Sequence, residues 1–197
     1  MRVLVARHAQ TLANRDGIIL GRRDSPLTGR GRTTSEDLAA NIAYAGTGVI
    51  CTSPLARAAA TAELFAAASG WPLLIVNTLV ELSSGAWEGL PRSAVLPQGR
   101  ALRPTWTDAP PGGESCAAAE PRVREALATV TSLPYEDVLV VGHAGVNHVL
   151  LRILLCLEPQ QALAIRHPHN VVYTVKDGAV SWLRSGGMTG HGLLTRR

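Results

Sequence analysis

The sequence predicts an α/β fold, a three-layer α/β/α sandwich whose central sheet is mostly parallel with an antiparallel edge strand. Three observations predict it. Short apolar runs at 2–6, 47–51, 73–76 and 137–141 alternate with longer segments of helical character, the pattern of parallel strands joined by helical crossovers. Two late apolar runs, 170–175 and 180–183, are joined across Asp177-Gly178, a pair suited to a type I′ hairpin turn. The chain has 197 residues and 20.8 kDa, one ordinary domain spanning 1–197 and able to bury roughly 70% of its unfolded surface.

The first strand, 2–6, ends at Arg7-His8. A loop with Gly17, Gly21, Asp24 and Pro26 leads into a helix over 28–44, with Leu38, Ala39, Ile42 and Ala43 at apolar positions. Strand 47–51 follows. Ser53-Pro54 reads as a helix start, a capping hydroxyl before a proline at the first helical position. That helix runs to Ser69 and stops at Gly70. After strand 73–76 the segment 79–113 is irregular, with Gly and Pro clusters and isolated Trp87 and Trp106, and is the candidate lid or substrate loop. A helix spans 114–133. Strand 137–141 runs through Gly142-His143-Ala144-Gly145 into a helix over 146–157. The Gly-rich tail, 186–197, is expected to be mobile. There is no internal repeat.

Hydrophobic residues make up 46% and charged residues 17% of the chain, which excludes intrinsic disorder. No apolar run approaches the ~20 residues of a membrane span; the richest, 149–157, is broken by Arg152. The first apolar stretch is cut by Arg7-His8, unlike a signal peptide. A cytoplasmic location, with no membrane partner, is the expectation. Three scattered cysteines are too few for a disulfide framework or zinc site. Cys51 and Cys156, in apolar contexts, read as buried thiols, and Cys116 opens a helix. The net charge of +4 and pI near 9.4 raise nucleic acid as a partner. The basic residues, all Arg except Lys176, are spread along the chain without interleaved aromatics, so no nucleic acid is expected. A cleft attracting small anions fits better.

In parallel α/β sheets ligands bind at the carboxyl ends of strands, and two strands here end at a histidine, His8 and His143. Asn14, Arg57 and Glu81 lie in adjoining loops and helix starts. With Arg7 they make two arginines, two histidines and one glutamate. Phosphoryl transfer through histidine needs that inventory: a nucleophile, positive donors for three oxygens and an acid for the leaving oxygen.

These residues sit in motifs that resemble the histidine phosphatase superfamily, phosphoglycerate mutase-like branch (branch 1). Arg7-His8-Ala9-Gln10-Thr11 matches its opening motif, with Asn14 at the family's asparagine position. Asp24-Ser25-Pro26-Leu27-Thr28 with Gly31 is similar to its D-x-P-L-T-x-x-G. Ser53-Pro54-Leu55-Ala56-Arg57-Ala58 with Thr61-Ala62 resembles the second arginine motif. The stretch 79–89 fits L-x-E-x-x-x-G-x-W-E-G, Pro111-Gly112-Gly113-Glu114-Ser115 fits P-G-G-E-S, and Gly142-His143 fits the second histidine motif. Six motifs in order, across 2–157, carry the resemblance. It implies His8 as nucleophile, kept neutral with help from Arg7. It implies Arg7, Asn14, Arg57 and His143 as phosphate ligands, with Ala144 beside them, and Glu81 as general acid and base. A carboxylate facing a phosphate dianion is pushed toward its protonated form, the state an acid needs. No metal or other cofactor is implied, because arginines neutralise the phosphate charge.

The chain departs from the family at Ala9 and Ala144, where glycines are usual. Each adds a methyl group beside the expected phosphate pocket and limits the backbone there. Ala60 replaces a usual glutamine, a change expected to affect packing. Glu88 and Glu114 read as a loop and a helix-start residue, Glu114 favouring the positive end of its helix. His148 reads as a pocket-edge or surface residue, His167-Pro168-His169 lacks a third metal ligand, and His191 lies in the tail. Trp87 and Trp106 are lid packing or substrate contacts, and Arg92, Arg100 and Arg103 serve either a second anionic group or solvation.

The expected activity is hydrolysis of a small phosphorylated metabolite. The alternatives are a phosphoglycerate mutase-type phosphoryl-transfer isomerase and a non-catalytic phospho-ligand binding protein. The motifs are shared, but 90–110 is only 21 residues long. A short lid admits water to phosphohistidine and favours hydrolysis. All charged roles are filled, which weighs against the binding protein. The hairpin, as an exposed sheet edge, offers a surface for a possible homodimer.

Overall fold

The computed structural model describes residues 1–44, 46–97 and 101–196. In chain order the elements are β1 (Arg2–Arg7), α1 (Leu12–Arg15), α2 (Gly29–Asn41), β2 (Gly48–Thr52), α3 (Ala56–Ser69), β3 (Leu73–Ile75), α4 (Arg92–Val95), α5 (Cys116–Thr131), β4 (Asp137–Gly142), α6 (Ala144–Leu155), α7 (Pro159–Ala164), β5 (Val171–Lys176), β6 (Ala179–Arg184) and β7 (Met188–His191).

The strands form one sheet in the order β3-β2-β4-β1-β5-β6-β7. The first four in that order are parallel to one another, and β5, β6 and β7 run antiparallel. β1 and β4 are buried on both faces, and their alternate residues divide the core. Val3, Val5, Val138 and Val140 pack with Val123, Ala126 and Val130 of α5 and with Val149 and Leu150 of α6. Leu4, Ala6, Leu139 and Val141 pack with Leu38 and Ala39 of α2 and with Ala58, Ala62 and Phe65 of α3. Two helical layers on a doubly buried sheet explain why these strands read as continuous apolar runs. The hairpin turn is as expected, with Asp177 at φ 50° and Gly178 at φ 76°.

Four expectations need correction. The tail read as mobile contributes β7, which pairs with β6 along 188–191. β6 is therefore covered, and the hairpin is not the sheet edge. The helix at Ser53-Pro54 begins later, at Ala56, with no side-chain cap from Leu55. Its free N–H groups are taken by Asp24, whose carboxylate accepts from Ala56 N at 2.9 Å and Arg57 N at 3.1 Å; Ser53 turns to another partner. Cys156 is exposed rather than buried, because it ends α6 in the left-handed region at φ 51°. Cys51 and Cys116 are buried, and burial pushes their thiols up to about 12 and about 11. No helix among the described residues is long and apolar enough to cross a membrane.

Candidate active site

β1 and β4 are neighbours in parallel register, so Arg7-His8 and Gly142-His143 leave the sheet side by side. His8 N donates to Gly142 O at 2.9 Å, and the two imidazole centroids lie 5.2 Å apart. The His8 ring is held from both nitrogens. Nδ1 lies 2.7 Å from Ala9 O, and a carbonyl only accepts, so Nδ1 carries the proton. Nε2 therefore presents its lone pair, which accepts from Arg57 Nε at 3.3 Å. Burial, then the charges of His143, Arg7, Arg57 and His169, holds His8 well below the ordinary histidine range. Burial outranks the Arg7 repulsion that the sequence suggested.

Arg57 is buried and held by four of its five N–H donors, which leaves one N–H of NH2 over among the described residues. Its NH2 donates to Gly21 O at 2.7 Å, and its NH1 donates to Arg23 O and to Asp24 at 3.2 Å. The Asp24 motif thus has a local purpose: one carboxylate starts α3 and pairs with the arginine that α3 carries. Thr61, one turn on, accepts from Ala9 N at 2.9 Å and donates to Arg57 O at 2.7 Å. Behind His8, Thr28 N and Oγ1 donate to Gln10 O, and a Cβ on Gly31 would sit 2.3 Å from that oxygen. Only glycine lets α2 approach the backbone there. Arg7 is half-buried and donates NH1 to His167 O at 3.0 Å. Burial lowers it to about 10, with the charge of Glu81 opposing.

Arg7, His8, Asn14, Arg57, Glu81 and Ala144, among others, line a cleft of about 360 Å³; His143 is not among its lining residues but lies beside His8. Asn14 closes the capping box of α1 through its side-chain oxygen, which accepts from Thr11 N, so its Nδ2 is the donor left for the cleft. Glu81 lies across the cleft at the start of α6. Its carboxylate accepts from Gly145 N at 3.3 Å, Val146 N at 3.2 Å and Leu82 N at 2.9 Å, a favourable seat at a positive helix end. A Cβ on Gly145 would come within 2.7 Å of Glu81 Oε1. Ala9 and Ala144 carry their extra methyls without backbone strain, since Cys156 and Asp177 are the only non-glycine residues at positive φ among those described. His143 is fully buried and held neutral by burial, then by Arg57 and Arg7.

The remaining candidates sort clearly. Glu88 holds the loop, accepting from Arg22 N, Ser83 Oγ and Ser84 N. Glu114 bonds Arg122 at 2.8 Å and Arg22 at 3.3 Å; burial opposes its ionisation, but these partners outweigh it and hold the carboxyl below its usual range. Trp106 is buried against Glu120 and Arg152, so it packs its segment onto α5 and α6. Trp87 forms part of a 3₁₀ turn outside the cleft lining. Arg103 donates to the carbonyls of Glu114 and Ser83 and, like Arg92, lines the cleft. Arg100 lies outside the described residues. No group of three or more potential metal ligands occurs among the described residues.

A family model described as the histidine phosphatase superfamily (branch 1) matches residues 3–180. The chain belongs to that superfamily. It is 31% identical over 192 residues to a "Probable phosphoglycerate mutase" of Yersinia enterocolitica, covering 94% of this chain and 89% of that one. It is 29% identical over 169 residues to the adenosylcobalamin/alpha-ribazole phosphatase of Escherichia coli, covering 83% of each. Among solved structures, a mycobacterial glucosyl-3-phosphoglycerate phosphatase superposes with a TM-score of 0.79 at 26% identity, covering 100% of this chain and 99% of that one.

Three further residues stand near the site: His169, which the sequence offered only as half of a weak metal pair, His148, read as a pocket-edge or surface residue, and Arg196, which was unread. His169 Nδ1 donates to His8 O at 2.6 Å, with ring centroids 5.2 Å apart. His148 lines the cleft, its Nε2 donating to Ile165 O at 2.9 Å. Arg196 also lines it, because Thr195 bridges to Ile165 and Arg196 N donates to Ala164 O at 2.8 Å. The only signal for His169 was the His-Pro-His spelling. Arg196 had none, since its position depends on the tail's pairing.

Proposed function

We propose that this protein is a metal-independent phosphatase that hydrolyses a small phosphomonoester through a phosphohistidine on His8. The observation that carries the reading is the fixed His8 ring: a neutral imidazole, its proton committed to Ala9 O and its lone pair at Nε2 beside Arg57. In the first step Nε2 forms a bond to phosphorus as the phosphorus–oxygen bond to the alcohol breaks. Glu81 passes a proton to the departing oxygen. Arg7, Arg57, Asn14 and His143 hold the other phosphoryl oxygens, and the arginines balance their charge without a metal. In the second step Glu81 takes a proton from water as that water attacks phosphorus, the phosphorus–nitrogen bond breaks, and His8 returns neutral. The phosphatase-named relatives support hydrolysis. The mutase-named relative supports return of the phosphoryl group to a second hydroxyl, and the short 90–110 segment weighs toward water.

The test is inorganic phosphate release from sugar phosphates, phosphoglycerates, nucleotides and p-nitrophenyl phosphate, with EDTA present, beside His8→Ala. Release by the wild type alone is expected. Full loss of activity in EDTA refutes metal independence. Turnover by His8→Ala refutes the covalent step. Interconversion of phosphoglycerates without phosphate release would establish the mutase.

A further inference from the structure

Ser53 follows β2, and His143 follows β4, the next strand in the sheet. Both are fully buried. Ser53 Oγ lies 2.8 Å from His143 Nε2 and accepts the N–H of Leu55 at 3.3 Å. His143 Nδ1 is buried and has no hydrogen-bond partner among the described residues.

A neutral imidazole carries one proton, and its position decides how many buried groups are left over. With the proton on Nε2, that N–H donates to Ser53 Oγ. The hydroxyl proton and the Nδ1 lone pair are then both stranded. With the proton on Nδ1, the Ser53 hydroxyl donates to Nε2, its own oxygen accepts from Leu55, and only the Nδ1–H lacks a partner. Stranded buried polar groups are costly, so the arrangement with one is favoured over the arrangement with two.

The geometry points to Ser53 as the positioning residue of the site: its hydroxyl donates to His143 Nε2 and so presents Nδ1–H as a prepared donor for a phosphoryl oxygen. The leftover N–H is then accounted for, because a phosphoryl group on His8, one imidazole away, completes it. Had Nδ1 carried the lone pair, His143 would repel the same oxygen. Only the identity of that acceptor rests on the phosphoryl-transfer reading; the tautomer does not. The serine of the second arginine motif thus acts at the second histidine, not as the cap of its own helix.

Long-range ¹H–¹⁵N correlation of the histidine rings in the wild-type protein tests the tautomer directly, without substrate and with vanadate as the probe. The expected result is a bare Nε2 and a protonated Nδ1 in His143, with the Nδ1–H signal moving on vanadate binding. Protonated Nε2 overturns the proposal. Ser53→Ala is expected to cost about 10- to 100-fold in kcat/KM, the usual range for a partner behind a binding group. It should also weaken vanadate inhibition. Ser53→Thr keeps the hydroxyl and is expected to recover most of the loss. The Ser53 hydroxyl bonds the neutral form of His143, so its removal eases protonation and moves the acid limb of the pH profile upward. A merely structural serine would lower the melting temperature and leave that limb in place. Unchanged kcat/KM and an unchanged pH profile in Ser53→Ala also overturn the proposal. If Ser53→Ala does not fold, the wild-type spectrum decides. If the wild type releases no phosphate, the phosphatase reading falls while the spectrum still decides the tautomer.

Discussion

Removing the Asp24 carboxylate tests how the site is built. Asp24 bonds two backbone N–H groups at the start of α3, at 2.9 and 3.1 Å, and Arg57 NH1 at 3.2 Å. In Asp24→Ala the helix loses its N-terminal partner, a change worth about 1 kcal/mol. Arg57 also loses its paired carboxylate. Hydrogen bonds to charged groups contribute about 1.5–3 kcal/mol, but the Asp24 side chain is 37% exposed, so solvent screening reduces that to about 1 kcal/mol. The sum is about 2 kcal/mol, and for a chain of this size that lowers Tm by about 4–8 °C. Arg57 keeps its bonds to Gly21 O and Arg23 O, so it stays in the site but less firmly held. A drop of about tenfold in kcat/KM is expected. The assay is calorimetric melting beside phosphate release from p-nitrophenyl phosphate, with Asp24→Asn as a partial substitute that keeps one acceptor. A Tm within 1 °C of wild type would refute the capping role. A lowered Tm with full activity would show that α3 and not Asp24 fixes Arg57.

Other perturbations separate the remaining roles. Glu81→Gln should slow alkyl phosphates by at least about 100-fold while sparing p-nitrophenyl phosphate, whose leaving group needs no proton; equal loss on both would remove Glu81 as the acid. Gly145→Ala places a Cβ 2.7 Å from Glu81 Oε1 and should reproduce that pattern more weakly, which the same pair of substrates measures. Ala9→Gly should hold turnover within about twofold but cost about 1 kcal/mol through backbone entropy and a lost buried methyl; collapse of kcat would give the alanine a further part. Stability should fall on acidification. His8, His143, His148, His167 and His169 are all lowered by burial, His169 to about 3. A depressed histidine gives its full stabilisation above the unfolded value near 6.5, and loses it as pH falls toward the folded value. For His169 that window runs from about 6.5 to about 3, at about 1.4 kcal/mol per pH unit. Melting at pH 7, 6 and 5 should show falling Tm, with a shallower fall in His169→Gln; a flat profile would contradict the neutral buried state.

What could be read from the sequence, and what could not, follows from distance along the chain. β1 and β4 were legible because strands buried on both faces are apolar throughout, and the Asp-Gly turn because few residues accept positive φ twice. The structure brings His8, Arg7, Arg57, Asn14, Glu81, His143 and Ala144 together because each sits at a strand end, a helix start or a loop beyond the carboxyl ends of the central strands. That placement is a property of α/β topology, so residue type and position sufficed. Ser53 was misread because a serine before a proline satisfies the local capping rule. The competing partner, His143, stands 90 residues away and meets it only because β2 and β4 are neighbours. Asp24 was read as part of a loop motif for the same reason: its helix lies 32 residues on. The tail misled in the opposite sense. Glycines at 186 and 187 suggest mobility, yet both take positive φ, turning the chain back along β6 as β7. That return carries Thr195 to Ile165 and Arg196 to the cleft. Removing the last residues should therefore disturb the site more than an untethered end would. Stopping the chain after Leu194 deletes both the Thr195 bridge and the Arg196 backbone bond to Ala164 O. If the pairing matters, KM should rise with little change in kcat; kinetics identical to wild type would show that the tail only borders the cleft.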